Sequence, residues 1–299
     1  MKKVSIIIVT YNSEKDIYDC ILSIQQQADI PINEIELIIV DNNSEHTDAM
    51  FRQIQNIWGQ DVILIKNTKN GGYGQGNNLG IRNASAPILL IMNPDVRLFT
   101  PFFKKPLSAF EHNAQLVMYG MKQLYTPMRP SQSSFCTSHM INGYLRSIIE
   151  AIANRLQLYL PRWMYFSGSC FYIRKSKFQE IGLFDEDIFM YGEENDLHYK
   201  LCQHCGPHFS YDKHLKYLHL TSQRPPSAAY ELKLAEVAIV RNTKKGISRQ
   251  QTIQNLIRWY RMRYWRESLY KLFKNERPHY AMLRQVLNQL SQMKKQPTP

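Results

Sequence analysis

The chain has 299 residues, 44% of them hydrophobic, and a formal net charge of +12. That is enough apolar material for one large domain with an appendage, and it excludes wholesale disorder. Five cysteines at irregular spacing exclude a disulfide framework and suit a reducing compartment, and no apolar run approaches the ~18 residues of a membrane span.

The opening MKKVSIIIVTYN holds two lysines and a short apolar run, which Thr10, Tyr11 and Asn12 break before a secretion-signal core is reached. It reads as a buried first strand of a cytoplasmic protein. VSIIIV (4–9) and ELIIV (36–40) lack polar alternation, as strands covered on both faces do. Between them Ser13 is placed to cap a helix with Ile17, Ile21, Ile24 and Ala28 on one face. Met50, Phe51, Ile54, Ile57 and Trp58 mark a second helix that ends at Gly59, and VILI (62–65) and PILLIM (87–92) read as further strands. Helix alternating with strand implies right-handed βαβ units and an α/β sheet.

Asp41 and Asp95 each follow a strand directly. Ligands of open parallel sheets bind beyond the carboxyl ends of the strands. A carboxylate buried there unpaired costs several kcal/mol, so the two acids point to a ligand, although Asn93-Pro94-Asp95 is also good turn chemistry. Between the last two strands, NGGYGQGNNLG (70–80) reads as a loop. Its glycines allow close approach to a ligand, but no Gly-Lys-Ser/Thr follows and the GxGxxG spacing is absent.

Residues 113–138 are loop-like, with one strand near 116–119. Residues 140–158 carry Ile141, Tyr144, Leu145, Ile148, Ile149, Ile152 and Leu156 at helical spacing, which predicts a core-facing helix, with a lid as the alternative. In LFDEDIFMYGEENDLHYKLC (183–202), Leu197 and Leu201 predict a helix from about residue 193, with Glu193, Glu194 and Asp196 in its first turn. Acids there complement the helix dipole at roughly 0.3–1 kcal/mol each. Three of them beside Asp185, Glu186 and Asp187 exceed that need, and their repulsion should raise one carboxyl toward the range of a general base. KYLHLTS (216–222) puts His219 at the end of a short strand, where a lone histidine reads first as structural. Cys202 and Cys205, near His198, His204 and His208, lack the second CxxC that would argue for zinc.

The series VSIIIVTYN, IIVDNNS, GQGNNLG, IMNPDV, GSCFYIRKSKFQEIGLFDE and FMYGEENDL, in that order, resembles an inverting family 2 glycosyltransferase of the GT-A fold. It is most similar to the rhamnosyltransferase-like members that build bacterial surface polysaccharides. The resemblance covers about residues 4–222. It implies a Rossmann-like, mostly parallel sheet flanked by helices, with a nucleotide-sugar transferase domain over 1–225 and a basic, mostly helical extension over 226–299. It implies that Thr10, Tyr11 and Asn12 line the nucleotide pocket, that Asp41 contacts the base or ribose, and that Asn77 and Asn78 sit beside the nucleotide. Asp95 falls at the DxD position and would hold Mg²⁺ or Mn²⁺ on the donor diphosphate, with His219 as a second metal ligand. Ser167, Gly168, Glu193 and Asp196 would lie near the acceptor, and Glu194 at the position of the catalytic base. The sequence departs from the pattern in having Asn93 for the first acid of DxD, Glu193-Glu194 for a Glu-Asp pair, and LTS after His219.

The implied partners are a dTDP-, UDP- or GDP-sugar donor and a saccharide or lipid-linked acceptor. Residues 241–299 hold 14 Lys/Arg against Glu267 and Glu276 alone, while residues 1–240 hold 23 of each sign. The excess predicts an anionic partner. In NLIRWYRMRYWRESLYKLF (255–273) arginines interleave with Trp and Tyr, which suits an interfacial helix on the inner face of the cell membrane. A solvated appendage or homodimer contact is the plainer alternative. A nucleic-acid binder using this tail, or a nucleotide-sugar-binding protein without transferase activity, are the rival functions, and no nucleic acid is expected.

Overall fold

A computed structural model of the chain describes residues 1–126, 129–130, 134–137, 143–220, 227–271 and 279–295. They form two compact units: Met1–Cys136 with Gln157–Thr221, and Thr137–Leu156 with Ser222–Pro299. A single boundary at residue 225 does not describe this division, because the chain enters the second unit at Thr137, returns at Gln157 and enters it again.

The first unit begins with β1 (Val4–Thr10), α1 (Glu14–Gln26), β2 (Ile35–Asp41), α2 (Thr47–Trp58), β3 (Ile63–Lys66), α3 (Gly72–Asn83) and β4 (Ile88–Met92). It continues with β5 (Val96–Leu98), α4 (Lys104–His112), β6 (Met118–Thr126), β7 (Arg129–Pro130) and β8 (Phe135–Thr137). After α5 (Gly143–Leu156), which belongs to the second unit, come β9 (Met164–Phe166), β10 (Cys170–Arg174), α6 (Lys175–Glu180), α7 (Glu193–His204) and β11 (Phe209–His219). Among the described residues the main sheet has the order β3-β2-β1-β4-β10-β6-β11-β5, with β7 beside β6. β1, β2, β3, β4, β6 and β11 run one way, and β5, β7 and β10 run against them. This is the mostly parallel α/β sheet expected. Every position of β2 and β4 is buried, as unbroken aliphatic strands demand. The carboxyl ends of β1, β2, β4 and β11 share one edge, which therefore collects Thr10, Asp41, the 93–95 segment and His219.

Several local expectations are corrected. Residues 72–83 are a helix rather than a loop. Gly72 has φ +84° and the carbonyl of Phe189 against its Cα, where no side chain fits. Gly76 and Gly80 face the sheet: a Cβ would come within 2.7 Å of Val9 Cγ1 and 2.6 Å of Ile7 Cγ2 respectively. The close seat on β1 and β2 outweighs the ~1 kcal/mol helix cost of each glycine. Gly59 ends α2 at φ +105°, as read. Ser13 occupies the start of α1, but its hydroxyl turns back to the carbonyl of Tyr11 at 3.1 Å and caps no helical N–H. β6 runs on to Thr126, because it lies inside the sheet between β10 and β11 and pairing overrides its weak strand pattern.

The second unit packs α8 (Ala228–Lys244), α9 (Arg249–Lys271) and α10 (Tyr280–Lys295) around Ala235, Ile253, Ile257, Tyr260, Leu283 and Val286. Part of α9 is engaged in this bundle. Tyr260 donates to the buried Glu231 carboxylate at 2.7 Å, and Arg263 pairs with Glu231 at 3.0 Å. The Arg263 guanidinium lies 4.8 Å from the Trp259 ring centroid. Tyr260, Arg263 and Trp259 thus help hold the bundle together, because a buried glutamate needs partners, while Trp265 is exposed. α5 also departs from expectation: its buried positions include Ala153 and Asn154, while Ile148, Ile152 and Leu156 are exposed. Ile141, Thr221 and Ser222 lie outside the described residues. Among the described residues no helix is long and apolar enough to cross a membrane.

Candidate active site

Asp41, at the end of β2, is fully buried. Its carboxylate accepts from Thr10 Oγ1 (2.9 Å), Ser44 N (2.8 Å), Ser44 Oγ (2.5 Å) and Thr47 Oγ1 (2.5 Å). Four bonds fill the capacity of a carboxylate. Asp41 therefore ties the turn after β1 to the turn after β2 and underpins a ledge. Asn12, at φ +48°, completes the ledge by donating to Ser44 Oγ at 2.8 Å and accepting from Glu45 N at 3.2 Å. Tyr11 projects from it, half exposed.

An amide network joins this ledge to the start of α3. Asn67 Nδ2 donates to Asn42 Oδ1 (2.9 Å) and Gln75 Oε1 (2.6 Å), and Asn42 Nδ2 donates to the Gly72 carbonyl (2.9 Å). Both asparagines expected beside the nucleotide are buried on α3. Asn78 is spent on bracing the 184–186 loop: it donates to Phe184 O (3.0 Å) and Glu186 Oε1 (2.9 Å) and accepts from Phe184 N (3.0 Å). Asn77 donates to Tyr73 O at 2.9 Å, and its Oδ1 is buried with no hydrogen-bond partner.

Asp95 sits where the sequence placed it, just past β4. Asn93 N donates to Ser169 O (2.8 Å), and Leu220 N donates to Asp95 O (2.9 Å), so the segment is pinned between β10 and the end of β11. His219 Nε2 lies 3.3 Å from Asp95 Oδ1, and the Asp95 side chain is 24% exposed. The other ring nitrogen of His219 is buried without a partner. A carboxylate oxygen beside an imidazole nitrogen, with an orphaned nitrogen behind, fits Mg²⁺ or Mn²⁺. Among the described residues no group of three or more His, Cys, Asp or Glu gathers. Asp16 of α1 is close by. Burial, then the Asp95 charge, hold its carboxyl above the usual range, with Arg97 opposing.

The acid cluster is sorted by the entry into α7. Tyr191 and Gly192 take φ +74° and +103°, and for a tyrosine that backbone is strained. α7 then starts at Glu193, as read. Glu193 is 2% and Asp196 7% exposed, and Asp196 pairs with Lys200 at 3.0 Å. Glu194 alone of the three is partly open. Its carboxyl lies against the Cα of Gly168. Ser167 and Ser169 hydroxyls meet at 3.0 Å, and Ser169 Oγ also bonds the Tyr217 hydroxyl at 2.9 Å. Glu194 therefore touches Gly168, whose neighbour Ser169 bonds Asn93, two residues before Asp95, whereas Glu193 and Asp196 turn into the protein. Sequence reasoning missed Tyr73, whose buried hydroxyl donates to the Gly168 carbonyl at 2.6 Å. The lone aromatic in a run of glycines was the available signal.

A family model of glycosyl transferase family 2 matches residues 5–182. The glycosyltransferase YfnE of Bacillus subtilis is 26% identical over 67% of this chain and 60% of its own length. The low-salt glycan biosynthesis hexosyltransferase Agl10 of Haloferax volcanii is 28% identical over 66% of this chain and 60% of its own length. The chain thus spans about 60% of the length of these relatives. Among solved structures, a mannosyltransferase from Pyrobaculum calidifontis in complex with GDP-Man and Mn²⁺ superposes with a TM-score of 0.56 at 14% identity, covering 97% of this chain and 73% of that one. TarS from S. aureus in complex with UDP-GlcNAc superposes with a TM-score of 0.54 at 18% identity, covering 97% and 81%. At these identities the structural likeness establishes the fold.

Proposed function

The chain belongs to glycosyl transferase family 2, and from that premise we propose that it moves a sugar from a nucleoside-diphosphate donor to a hydroxyl of a saccharide or lipid-linked saccharide, with inversion and with Mg²⁺ or Mn²⁺. One observation carries the reading: of the three acids in the first turn of α7, only Glu194 is open, and it adjoins the rim that leads through Ser169 to Asp95. A base and an anion-side ligand on one rim are what a single displacement at an anomeric carbon requires.

In this reading the Asp41-braced ledge seats the nucleoside, with Tyr11 offering its ring as a face for the base. Asp95 and His219 hold the cation. When bound, that ion supplies positive charge against the departing diphosphate. Glu194 takes the proton of the acceptor hydroxyl as it attacks. Ser167 and Gly168 bound the acceptor side. The donor complexes of the mannosyltransferase and of TarS support a nucleoside-diphosphate sugar as the ligand class. The test is a screen of dTDP-, UDP- and GDP-sugars for thermal stabilisation. One of them should raise the melting temperature with Mn²⁺ and not with EDTA; stabilisation that ignores EDTA would count against the metal.

We also infer an anionic membrane surface as partner. The second unit carries 18 Lys/Arg against five Asp/Glu, and the first 19 against 20. α5 adds Ile148, Ile152 and Leu156, exposed at i, i+4 and i+8, the spacing of one helix face. Basic charge with an apolar stripe suits an interfacial helix, at about 1 kcal/mol per Lys or Arg near anionic lipid. The protein should sediment with anionic vesicles at low salt and be released as salt rises. Ile148→Ser with Ile152→Ser should weaken sedimentation at every salt concentration. Failure to bind anionic vesicles at low salt would sink the idea.

A further inference from the structure

Gly168 raises a question that its backbone does not answer. It is absent from the positive-φ residues, so its conformation is open to any amino acid. What excludes a side chain is Glu194. A Cβ on Gly168 would lie 2.6 Å from Glu194 Cγ and 2.8 Å from its Cδ, with Oε1 closer still. The glutamate carboxyl rests on the bare Cα.

The glycine is itself held. The Tyr73 hydroxyl donates to its carbonyl at 2.6 Å. Tyr73 N donates to the Phe189 carbonyl at 3.0 Å, and the Tyr73 ring meets Phe184 edge-on at 5.5 Å. The tyrosine is partly buried, and its hydroxyl is pushed well above its ordinary pKa by desolvation and then by the charges of Glu194 and Glu193. It therefore remains a neutral donor beside the carboxylates. On the far side of the glycine, Ser169 O accepts from Asn93 N. The strip 168–169 is thus clamped between α3 and the segment that carries Asp95, and Glu194 leans on its middle.

The geometry points to Tyr73 and Gly168 as positioning residues for Glu194: the Tyr73 hydroxyl fixes the Gly168 peptide, and the missing side chain at Gly168 leaves the space in which the Glu194 carboxyl is aimed at the acceptor. The inference rests on Glu194 being the base. It assigns the glycine to side-chain room and the tyrosine to a single hydrogen bond.

The test is steady-state kinetics and pH–rate profiles on the purified full chain, with thermal melts as a folding control. Gly168→Ala should lower kcat on the order of 10²-fold, since a displacement of about 1 Å has that effect on a reacting group, with donor KM within about twofold. Glu194→Asp shortens the side chain by one methylene and vacates the space. Gly168→Ala/Glu194→Asp should therefore lose much less than the product of the two single losses. Tyr73→Phe should lower kcat about 10-fold and move the acid limb of the kcat/KM profile, which a purely structural change would leave in place. Full multiplicative loss in the double variant, or near wild-type kcat in Gly168→Ala, overturns the inference. If Gly168→Ala does not fold, an unmoved acid limb in Tyr73→Phe overturns it. Glu194→Gln separates the two levels: near wild-type turnover there removes the base and this inference together, whereas an inactive Glu194→Gln beside active Gly168→Ala and Tyr73→Phe removes the positioning alone.

Discussion

Glu194→Gln is expected to lose roughly 10²–10⁴-fold in turnover while donor binding stays nearly unchanged. The amide keeps the shape of the side chain, so the packing against Gly168 survives, and only the capacity to take a proton is removed. Glu193 is the competitor, one residue away. Neighbours on a helix differ by about 100° in direction, and here that difference puts Glu193 in the interior at 2% exposure. Glu193→Gln should therefore act mainly on stability, seen as a lower melting temperature at near-normal kcat. Glu194→Asp retains a base and should retain part of the activity. If Glu194→Gln turns over normally and Glu193→Gln does not, the base is Glu193.

Asp95→Ala should abolish the Mn²⁺-dependent part of donor binding. The fold should tolerate it, because the hydrogen bond from Leu220 N goes to the Asp95 main chain and survives the truncation. What is lost is the carboxylate 3.3 Å from His219 Nε2. If Asp95 and His219 hold the cation as proposed, loss of the anionic side chain removes most of the attraction for a hard cation. His219→Ala should weaken metal-dependent binding less, since the imidazole is neutral as a ligand. Calorimetric titration of donor with Mn²⁺ or with EDTA reads both variants. Unchanged metal dependence in Asp95→Ala would show that the cation is held elsewhere.

The strands of the first half were legible because VSIIIV, ELIIV and PILLIM are unbroken aliphatic runs that only a covered sheet can bury, and the acids that end two of them marked the ligand edge. The helix α3 was not legible. Its glycines are poor helix formers, and what favours them is the proximity of Ile7 and Val9, residues more than 65 positions away along the chain. For the same reason the bonding of Asp41 was not legible: four donors, from Thr10, Ser44 and Thr47, converge on it only in three dimensions. α9 is ambiguous for a different reason. Its Arg-Trp-Tyr pattern fits a lipid interface or a bundle core equally well, and the residue that engages Tyr260 and Arg263, Glu231, lies on another helix. Sequence named Glu194 through resemblance. The structure adds a physical ground for preferring it to Glu193, namely which of two adjacent carboxylates stays open.

The central claim is a single displacement at the anomeric carbon, with Glu194 deprotonating the acceptor. The most direct measurement is the anomeric configuration of the first product, read from proton coupling by NMR, using the nucleotide-sugar that stabilises the protein with Mn²⁺. A configuration opposite to that of the donor is the predicted result. A product with the donor's configuration would require a double displacement or attack from the face of the departing diphosphate, and would contradict back-face attack assisted by Glu194.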